Sequence, residues 1–415
     1  MIDRMAILGG SSVYIPEFIV SLISHNLHFK EIVLFGNAGP KLELVAGFCK
    51  RLIDKSGFPT KIIASTDLES SVKDAAYVLN HIRVGGMQAR IRDEKLPPKY
   101  GMVGDESLGA GGVANALRTL PTVLHYASRV ESVNPDCTFI NLTNPMGTVV
   151  EAMLKLTKLN VVGVCDLPGE FIRKVAAVLG RDANDFYFDF IGVNHLGWIQ
   201  DVRKGKTSHM HQVLETIAAH QEDGFDYELI DLYRMVPTST VGLFFHTDRV
   251  LKSQKRLSKF RAEVLHEAEQ HLLKLYKDKK LKEIPPEARM RNTPWYEETI
   301  TPLVLALESK EQHTIVLCVG NQGAIRDLPD QCSVEVPVEV SAAGIKPRKV
   351  GNCPRFLRPL MLSLKESERC VIEAVRHKSY ESALQALVAN PLVPSVDAAR
   401  EYLDRIVREE ALDLR

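Results

Sequence analysis

An α/β architecture, with a parallel sheet in the N-terminal half and a mixed α+β C-terminal half, is predicted by three observations. Short aliphatic runs alternate with longer helical patterns over the first 165 residues. Glycines follow the first run directly. Long charged helical stretches fill the chain after about Asp182. Alternation of this kind argues βαβ units with right-handed crossovers around a parallel sheet. At roughly 100 to 200 residues per domain, 415 residues divide more naturally into two units than one. Residues 1–170 are expected to form the first and 171–415 the second.

The predicted strands are Met5–Leu8, Ile32–Phe35, Lys61–Ala64, Ala76–Leu79, Thr138–Ile140 and Val161–Val164, each rich in β-branched or aliphatic residues. In an open parallel sheet, sites lie at the carboxyl ends of such strands. Further on, Phe186–Ile191 is an aromatic run, followed by Trp198–Val202. A helix is expected from Glu263 to Leu281, apolar at Val264, Leu265, Ala268, Leu272, Leu273 and Leu275, and the stretch from Phe356 to Leu412 reads as mostly helical. Arg249, Lys252, Lys255, Arg256, Lys259 and Arg261 fall within thirteen residues and predict one locally basic helix, a solvated face or an anion or subunit contact.

Composition narrows the classes. With 52 basic and 52 acidic residues the net charge is zero, which excludes a generally basic nucleic-acid coat and an acidic solvating chain. No apolar run reaches the roughly 18 to 20 residues that span a bilayer, so neither nucleic acid nor membrane is an expected partner. Seven scattered cysteines without a CxxC fit reduced thiols, most of them small buried apolar side chains, and a cytoplasmic protein.

Gly9-Gly10-Ser11-Ser12 follows the first strand and opens a helix, as a Rossmann-like nucleotide turn does: the glycines let the backbone approach a pyrophosphate and the helix start favours negative charge. The match to GxGxxG is poor, and a plain tight turn is the competing reading. The second strand runs into Gly36-Asn37, without the carboxylate that usually holds the adenosine ribose, which moves that role to Asn37 if the turn binds NAD.

Six segments then occur in order: Arg83-Val84-Gly85-Gly86-Met87-Gln88-Ala89-Arg90, Asp93-Glu94-Lys95-Leu96-Pro97, Tyr100-Gly101-Met102-Val103-Gly104-Asp105-Glu106, Asn141-Leu142-Thr143-Asn144-Pro145, Gly163-Val164-Cys165-Asp166 and Gly192-Val193-Asn194-His195. With Gly320–Ile325, Asp327-Leu328-Pro329 and Val334-Glu335-Val336-Pro337, they resemble family 4 of the glycoside hydrolases over nearly the whole chain. That family depends on NAD and a divalent metal and acts on 6-phospho-glucosides and related sugars, outside the two-carboxylate scheme of most glycosidases. The resemblance implies a reaction in which NAD takes hydride from C3, a base removes the C2 proton, the C1 substituent leaves, water adds and the hydride returns.

It also implies roles. Cys165 and His195 match the metal ligands, usually for Mn²⁺, although alone each reads as an ordinary buried residue. Asp166 matches the residue that protonates the leaving group in the α-glucosidase branch, with a helix N-cap as its plain reading. Arg83-Val84-Gly85-Gly86 and Leu117-Arg118-Thr119 point instead to the 6-phospho-β-glucosidase branch. Arg90 and Asn144 match substrate positions, Arg90 for the sugar or its phosphate and Asn144 for hydroxyls near the metal. Arg291 is a second phosphate candidate, its planar fork suited to paired oxygens, with a surface ion pair as the alternative. A homodimer or homotetramer is the expected assembly.

The sequence departs from that family in one working position above all. The usual general base is the tyrosine of Pro-x-x-Tyr-Leu-x-Tyr, and here Pro237-Thr238-Ser239-Thr240 has a threonine, whose hydroxyl is several units less acidic than a phenol at about 10. Tyr233, His246 and Asp248 are the nearby alternatives. A non-catalytic sugar-phosphate-binding descendant and an NAD-dependent hydroxy-acid dehydrogenase are the competing functions.

Overall fold

The computed structural model describes residues 1–220, 224–291 and 295–415. Thirteen strands join in one sheet: β1 Ile2–Leu8, β2 Phe29–Phe35, β3 Lys61–Ser65, β4 Tyr77–Asn80, β5 Thr138–Asn141, β6 Asn160–Gly163, β7 Tyr187–Val193, β8 Leu196–Lys204, β9 Thr207–Ser208, β10 Val236–Pro237, β11 His313–Gly320, β12 Ser333–Ser341 and β13 Gly344–Pro347. The main path runs β10-β8-β7-β12-β11-β6-β5-β4-β1-β2-β3. All six strands expected in the first half are present and pair in parallel. Their order, 3-2-1-4-5-6, is that of a dinucleotide-binding sheet, and it reverses between β1 and β4, where such sheets open a crevice beyond their carboxyl ends. From β11 onward every pairing is antiparallel.

Burial explains why these segments became strands. Met5, Ala6, Ile7 and Leu8 are all fully buried, with Met5 and Ile7 in one apolar cluster and Ala6 and Leu8 in the other. Side chains alternate across a strand, so a run apolar at every position suits a sheet covered on both faces. The second cluster is closed by the C-terminal helices Arg358–His377, Tyr380–Ala389 and Val396–Glu410, which return to pack on the 25-residue helix Gly109–Val133. An ion pair from Arg118 to Glu410 (2.6 Å), with Arg118 also on Asp93 (2.6 Å), ties that last helix to the first half. No described helix is long and apolar enough to cross a membrane.

Two helices differ from expectation. The helix expected over Glu263–Leu281 runs Arg261–Leu275. It starts early because Glu263 accepts the Phe260 N–H (2.9 Å) and satisfies a free donor at the helix start. It stops early because the Asp278 side chain takes the Lys280 N–H (2.8 Å) into a turn. The basic stretch is not one helix: Thr247–Gln254 ends where the Gln254 side chain both donates to and accepts from the Gly104 backbone (2.8 and 2.9 Å), and the chain turns before Arg261. Arg249 pairs with Glu228 and Lys259 with Glu267, so part of that charge is neutralised on the surface.

Candidate active site

The crevice at the reversal point holds a cavity of about 370 Å³. Its walls come from the ends of β1, β4, β5 and β6, from the β7–β8 turn, and from helix Arg261–Leu275 with the segment after it.

At the β1 end the backbone is crowded. Gly9 has φ +94°, and a Cβ there would lie 2.3 Å from the His81 carbonyl oxygen; a Cβ on Gly10 would lie 2.6 Å from the Leu34 Cα. Their N–H groups both donate to the Phe35 carbonyl (3.0 and 2.8 Å), and Ser12 N–H donates to Gly9 (3.1 Å). Helix Ile15–Ser24 follows. Only glycines fit this cradle, and its residues Gly9, Ser11 and Ser12 line the cavity, so the turn suits a pyrophosphate. Asn37, in contrast, lies exposed beyond β2 and does not line the cavity.

The middle of the cavity is a basic wall. Arg83, Arg90 and Arg291 all line it. Glu106 joins two of them, pairing with Arg83 and lying 3.1 Å from Arg90 Nη1. Arg90 Nε also meets Glu94 (2.9 Å), whose other oxygen accepts the Ala262 N–H (2.8 Å). Burial would raise the Glu106 carboxyl, but Arg83 and Arg90 outweigh it and hold the group down at about 2. Arg291 is different. Its guanidinium stacks on Trp295 (3.3 Å to the ring centre) and Tyr14 (4.5 Å), no described carboxylate lies within ion-pair distance, and its Nε is buried without a partner. Burial and then the Arg83 charge push its pKa down. A buried cation without a counter-ion is costly, which makes this the natural place for an anionic ligand group. The surface ion pair considered for Arg291 is not formed among the described residues.

At the other end, Cys165 follows β6 and His195 sits in the β7–β8 turn at φ +63°, and both face the cavity. His195 Nδ1 is buried without a hydrogen-bond partner. Burial, then Glu335 and Asp166, push the Cys165 thiol up. A soft sulfur and a free imidazole nitrogen opening on one space fit a divalent transition metal, whose charge would displace the thiol proton. Among the described residues no cluster of three His, Cys, Asp or Glu side chains closes around an ion, so the remaining coordination positions would fall to ligand oxygens. Asp166 begins helix Asp166–Val178 with Cys165 at the cap position; its Oδ1 is 3.9 Å from the Cys165 sulfur, and it lines the cavity. The helix-cap reading therefore moves to Cys165. Asn144 also lines the cavity, and its carbonyl accepts from Asn115 (3.2 Å). Behind His195, the neighbouring Asn194 donates to the buried Glu335 (2.9 Å).

Thr240 turns its hydroxyl to the His195 carbonyl (2.7 Å). Tyr233 stacks on Phe356 (3.7 Å between ring centres), His246 pairs with Asp226 (2.9 Å), and Asp248 is exposed; none of the three lines the cavity. Thr240 thus braces the turn carrying His195. Thr240→Val, nearly isosteric, is expected to cost about 1 kcal/mol through the lost hydrogen bond and to weaken Mn²⁺ binding several-fold, measured by titration calorimetry; unchanged metal affinity would show that the brace does not matter.

Sequence reasoning assigned no role to Arg83, Glu106 or Trp295. Arg83 and Glu106 stand in the quoted segments, yet only the fold brings them together.

Comparison with known proteins places these features in context. The model for the family 4 glycosyl hydrolases matches residues 4–181, and that for the family's C-terminal domain matches residues 190–393. A protein of Bacillus subtilis (strain 168) described as a probable 6-phospho-beta-glucosidase is 32% identical over 97% of this chain and 95% of its own. The 6-phospho-beta glucosidase of Thermotoga maritima, solved with NAD and glucose-6-phosphate, superposes with a TM-score of 0.91 at 29% identity, over 99% of this chain and 100% of that one; a form that also holds manganese gives 0.89. Malate dehydrogenase from Cryptosporidium parvum, at 14% identity and a TM-score of 0.52 over 91% of this chain and all of that one, shares the fold alone.

Proposed function

Since the chain belongs to glycosyl hydrolase family 4, we propose that it hydrolyses a phosphorylated glycoside of the 6-phospho-β-glucoside class in an NAD- and divalent-metal-dependent reaction. The observation that carries the reading is that one cavity joins the glycine cradle, Arg291, which has no carboxylate partner among the described residues, and the Cys165/His195 pair. When bound, the nicotinamide supplies reversible hydride acceptance at C3 of the sugar, and the metal, Mn²⁺ in this reading, supplies Lewis acidity for the resulting carbonyl.

The chain's own residues bind and orient the reactants, and none of the candidate bases for the C2 proton, Tyr233, His246 and Asp248, lines the cavity. Gly9, Gly10, Ser11 and Ser12 receive the pyrophosphate. Cys165 and His195 would hold the ion, and Asn144, on the same wall, would contact the sugar hydroxyls beside it. Arg291 and Arg90 bind the 6-phosphate, with Arg83 beside them adding positive potential. Asp166, next to the metal sulfur, gives its proton to the leaving oxygen. The stacked faces of Trp295 and Tyr14 keep the Arg291 fork in plane and exclude water from its back. Residues 1–170 serve as the nucleotide-binding half and 171–415 complete the substrate side. We read the assembly as a homodimer or homotetramer, checked by light scattering, and the compartment as the cytoplasm, where a reduced Cys165 is kept available.

The test is release of sugar phosphate from a nitrophenyl 6-phospho-β-glucoside with NAD⁺ and Mn²⁺ under reducing conditions. Arg291→Met should raise KM by about 10- to 100-fold, the value of one to two charge-assisted hydrogen bonds, with little effect on an unphosphorylated glucoside. Activity indifferent to removal of both NAD⁺ and Mn²⁺ would overturn the reading. Binding of glucose 6-phosphate without hydrolysis or exchange of the C2 proton into D₂O would instead leave a sugar-phosphate-binding protein, the alternative that Thr240 favours.

A further inference from the structure

The adenosine end of the cleft has an unusual charge distribution. In dinucleotide-binding sheets, a carboxylate at the end of the second strand bonds the ribose hydroxyls and repels a phosphate on the 2′ oxygen, whereas a cation there accommodates one. Here β2 ends at Phe35 and is followed by Gly36, Asn37, Ala38 and Gly39, none of them acidic. Gly36 lies at the point where that carboxylate would project. A Cβ built on it would stand 3.7 Å from the Ser11 nitrogen and 3.4 Å from Leu42 Cδ1, ordinary contact distances, so a side chain could start there without a clash.

Several acids of the neighbouring elements are bonded or placed elsewhere. Asp67, beyond β3, accepts the Glu69 N–H at 3.2 Å as the cap of its own short helix. Of the two acids lining the cavity, Asp166 lies at the metal end beside Cys165. The other, Glu269, is paired with Lys41. Lys41 follows β2 by six residues, lines the cavity, and keeps 42% of its side chain exposed. An ammonium has three donors, so Lys41 is able to hold Glu269 and one further oxygen at the same time. The subsite therefore offers a cation with donors to spare, and the carboxylate that lines the cavity beside it, Glu269, is already paired.

Resting on the reading that NAD binds in this cleft, we infer that the adenosine-ribose subsite at the end of β2, beside Gly36 and Lys41, accepts a 2′-phosphate. The protein then takes the 2′-phosphorylated dinucleotide as well as NAD itself. Lys41 contacts the added phosphate, and the hydrogen atom at Gly36 leaves it room.

Titration calorimetry of the full chain with NAD⁺ and with NADP⁺, each in the presence of Mn²⁺, tests this directly and does not depend on turnover. The expected result is that the two dissociation constants agree to within about tenfold, roughly 1.4 kcal/mol. Gly36→Asp, which restores a carboxylate in available space, should weaken NADP⁺ relative to NAD⁺ by more than about tenfold, and Lys41→Met should shift the ratio in the same direction. NAD⁺ binding with NADP⁺ weaker by about 100-fold or more in the unaltered protein would overturn the inference and leave the cofactor reading intact. Failure of both nucleotides to bind would overturn both. Equal binding that Gly36→Asp and Lys41→Met leave unchanged would also overturn it, because the phosphate would then lie elsewhere.

Discussion

Cys165→Ser is expected to remove Mn²⁺-dependent hydrolysis almost completely, by about 10³-fold or more. Lewis-acid stabilisation of a developing oxyanion is worth several kcal/mol, and each 1.36 kcal/mol of barrier is about tenfold in rate. A serine hydroxyl has nearly the thiol's size, so the packing around this buried position is retained, yet it supplies neither the soft sulfur nor, at neutral pH, a negative charge. The glycine cradle is built from other residues, so NAD⁺ affinity should hold while Mn²⁺ affinity collapses, and calorimetric titration of each separates the two effects. Unchanged Mn²⁺ affinity in the variant would refute the assignment of Cys165 as a ligand. The wild-type protein should also bind Mn²⁺ more tightly as pH rises. Burial, Glu335 and Asp166 hold the proton on the thiol of the metal-free site, so binding must expel it. Raising the pH lowers that cost, by up to about tenfold in affinity per pH unit.

The strands that build this site were readable because a parallel sheet buries both faces. Val161-Val162-Gly163 and Met5–Leu8 carry no polar residue to disguise them, and they appear as expected. The start of β1, outside the expected run, is instructive. Asp3 and Arg4 look like loop residues, but they pair across the ladder with Lys30 and Glu31 of β2, a partnership visible only once the register is set. β12 was recognised only as a motif. Pro337 argues against a strand interior and Glu335 against burial; the structure accommodates the first opposite Val316 and the second through Asn194. The broken basic helix has the same origin, since Gln254 bonds a backbone 150 residues away.

At the site, the limits are of another kind. Cys165, Asp166, His195, Arg90 and Asn144 could be singled out because they stand in distinctive segments, and the fold brings all of them to one cavity. What a segment cannot show is its electrostatic context. Arg90 and, as a second choice, Arg291 are both phosphate candidates in the sequence, but one guanidinium is clasped by two carboxylates and the other lies between aromatic rings with none among the described residues. Nor could Thr240 be understood from its position alone, because its partner is a backbone carbonyl that any residue at 195 would present.

Glu106→Gln should produce the largest loss of stability of any isosteric change in the site, about 3 to 5 kcal/mol, because removing one member of a buried ion cluster leaves the others uncompensated. Arg83 would lose its paired carboxylate, and Arg90 one of its two, while both still face Arg291 across the cavity. The acid limb of the stability curve identifies this carboxyl. Its pKa in the folded state is about 2, below the 4.5 of the free side chain. Its contribution is therefore fully present above 4.5 and is lost as pH falls from there towards 2. Urea titrations across that window should show the wild-type advantage over Glu106→Gln shrinking steadily with acid. An advantage that stayed constant down to pH 2 would mean that the carboxylate charge is not what holds the arginine pair. Added glucose 6-phosphate should narrow the same gap at neutral pH, since a phosphate bound to the arginine wall restores negative charge to it and stabilises the folded state by mass action.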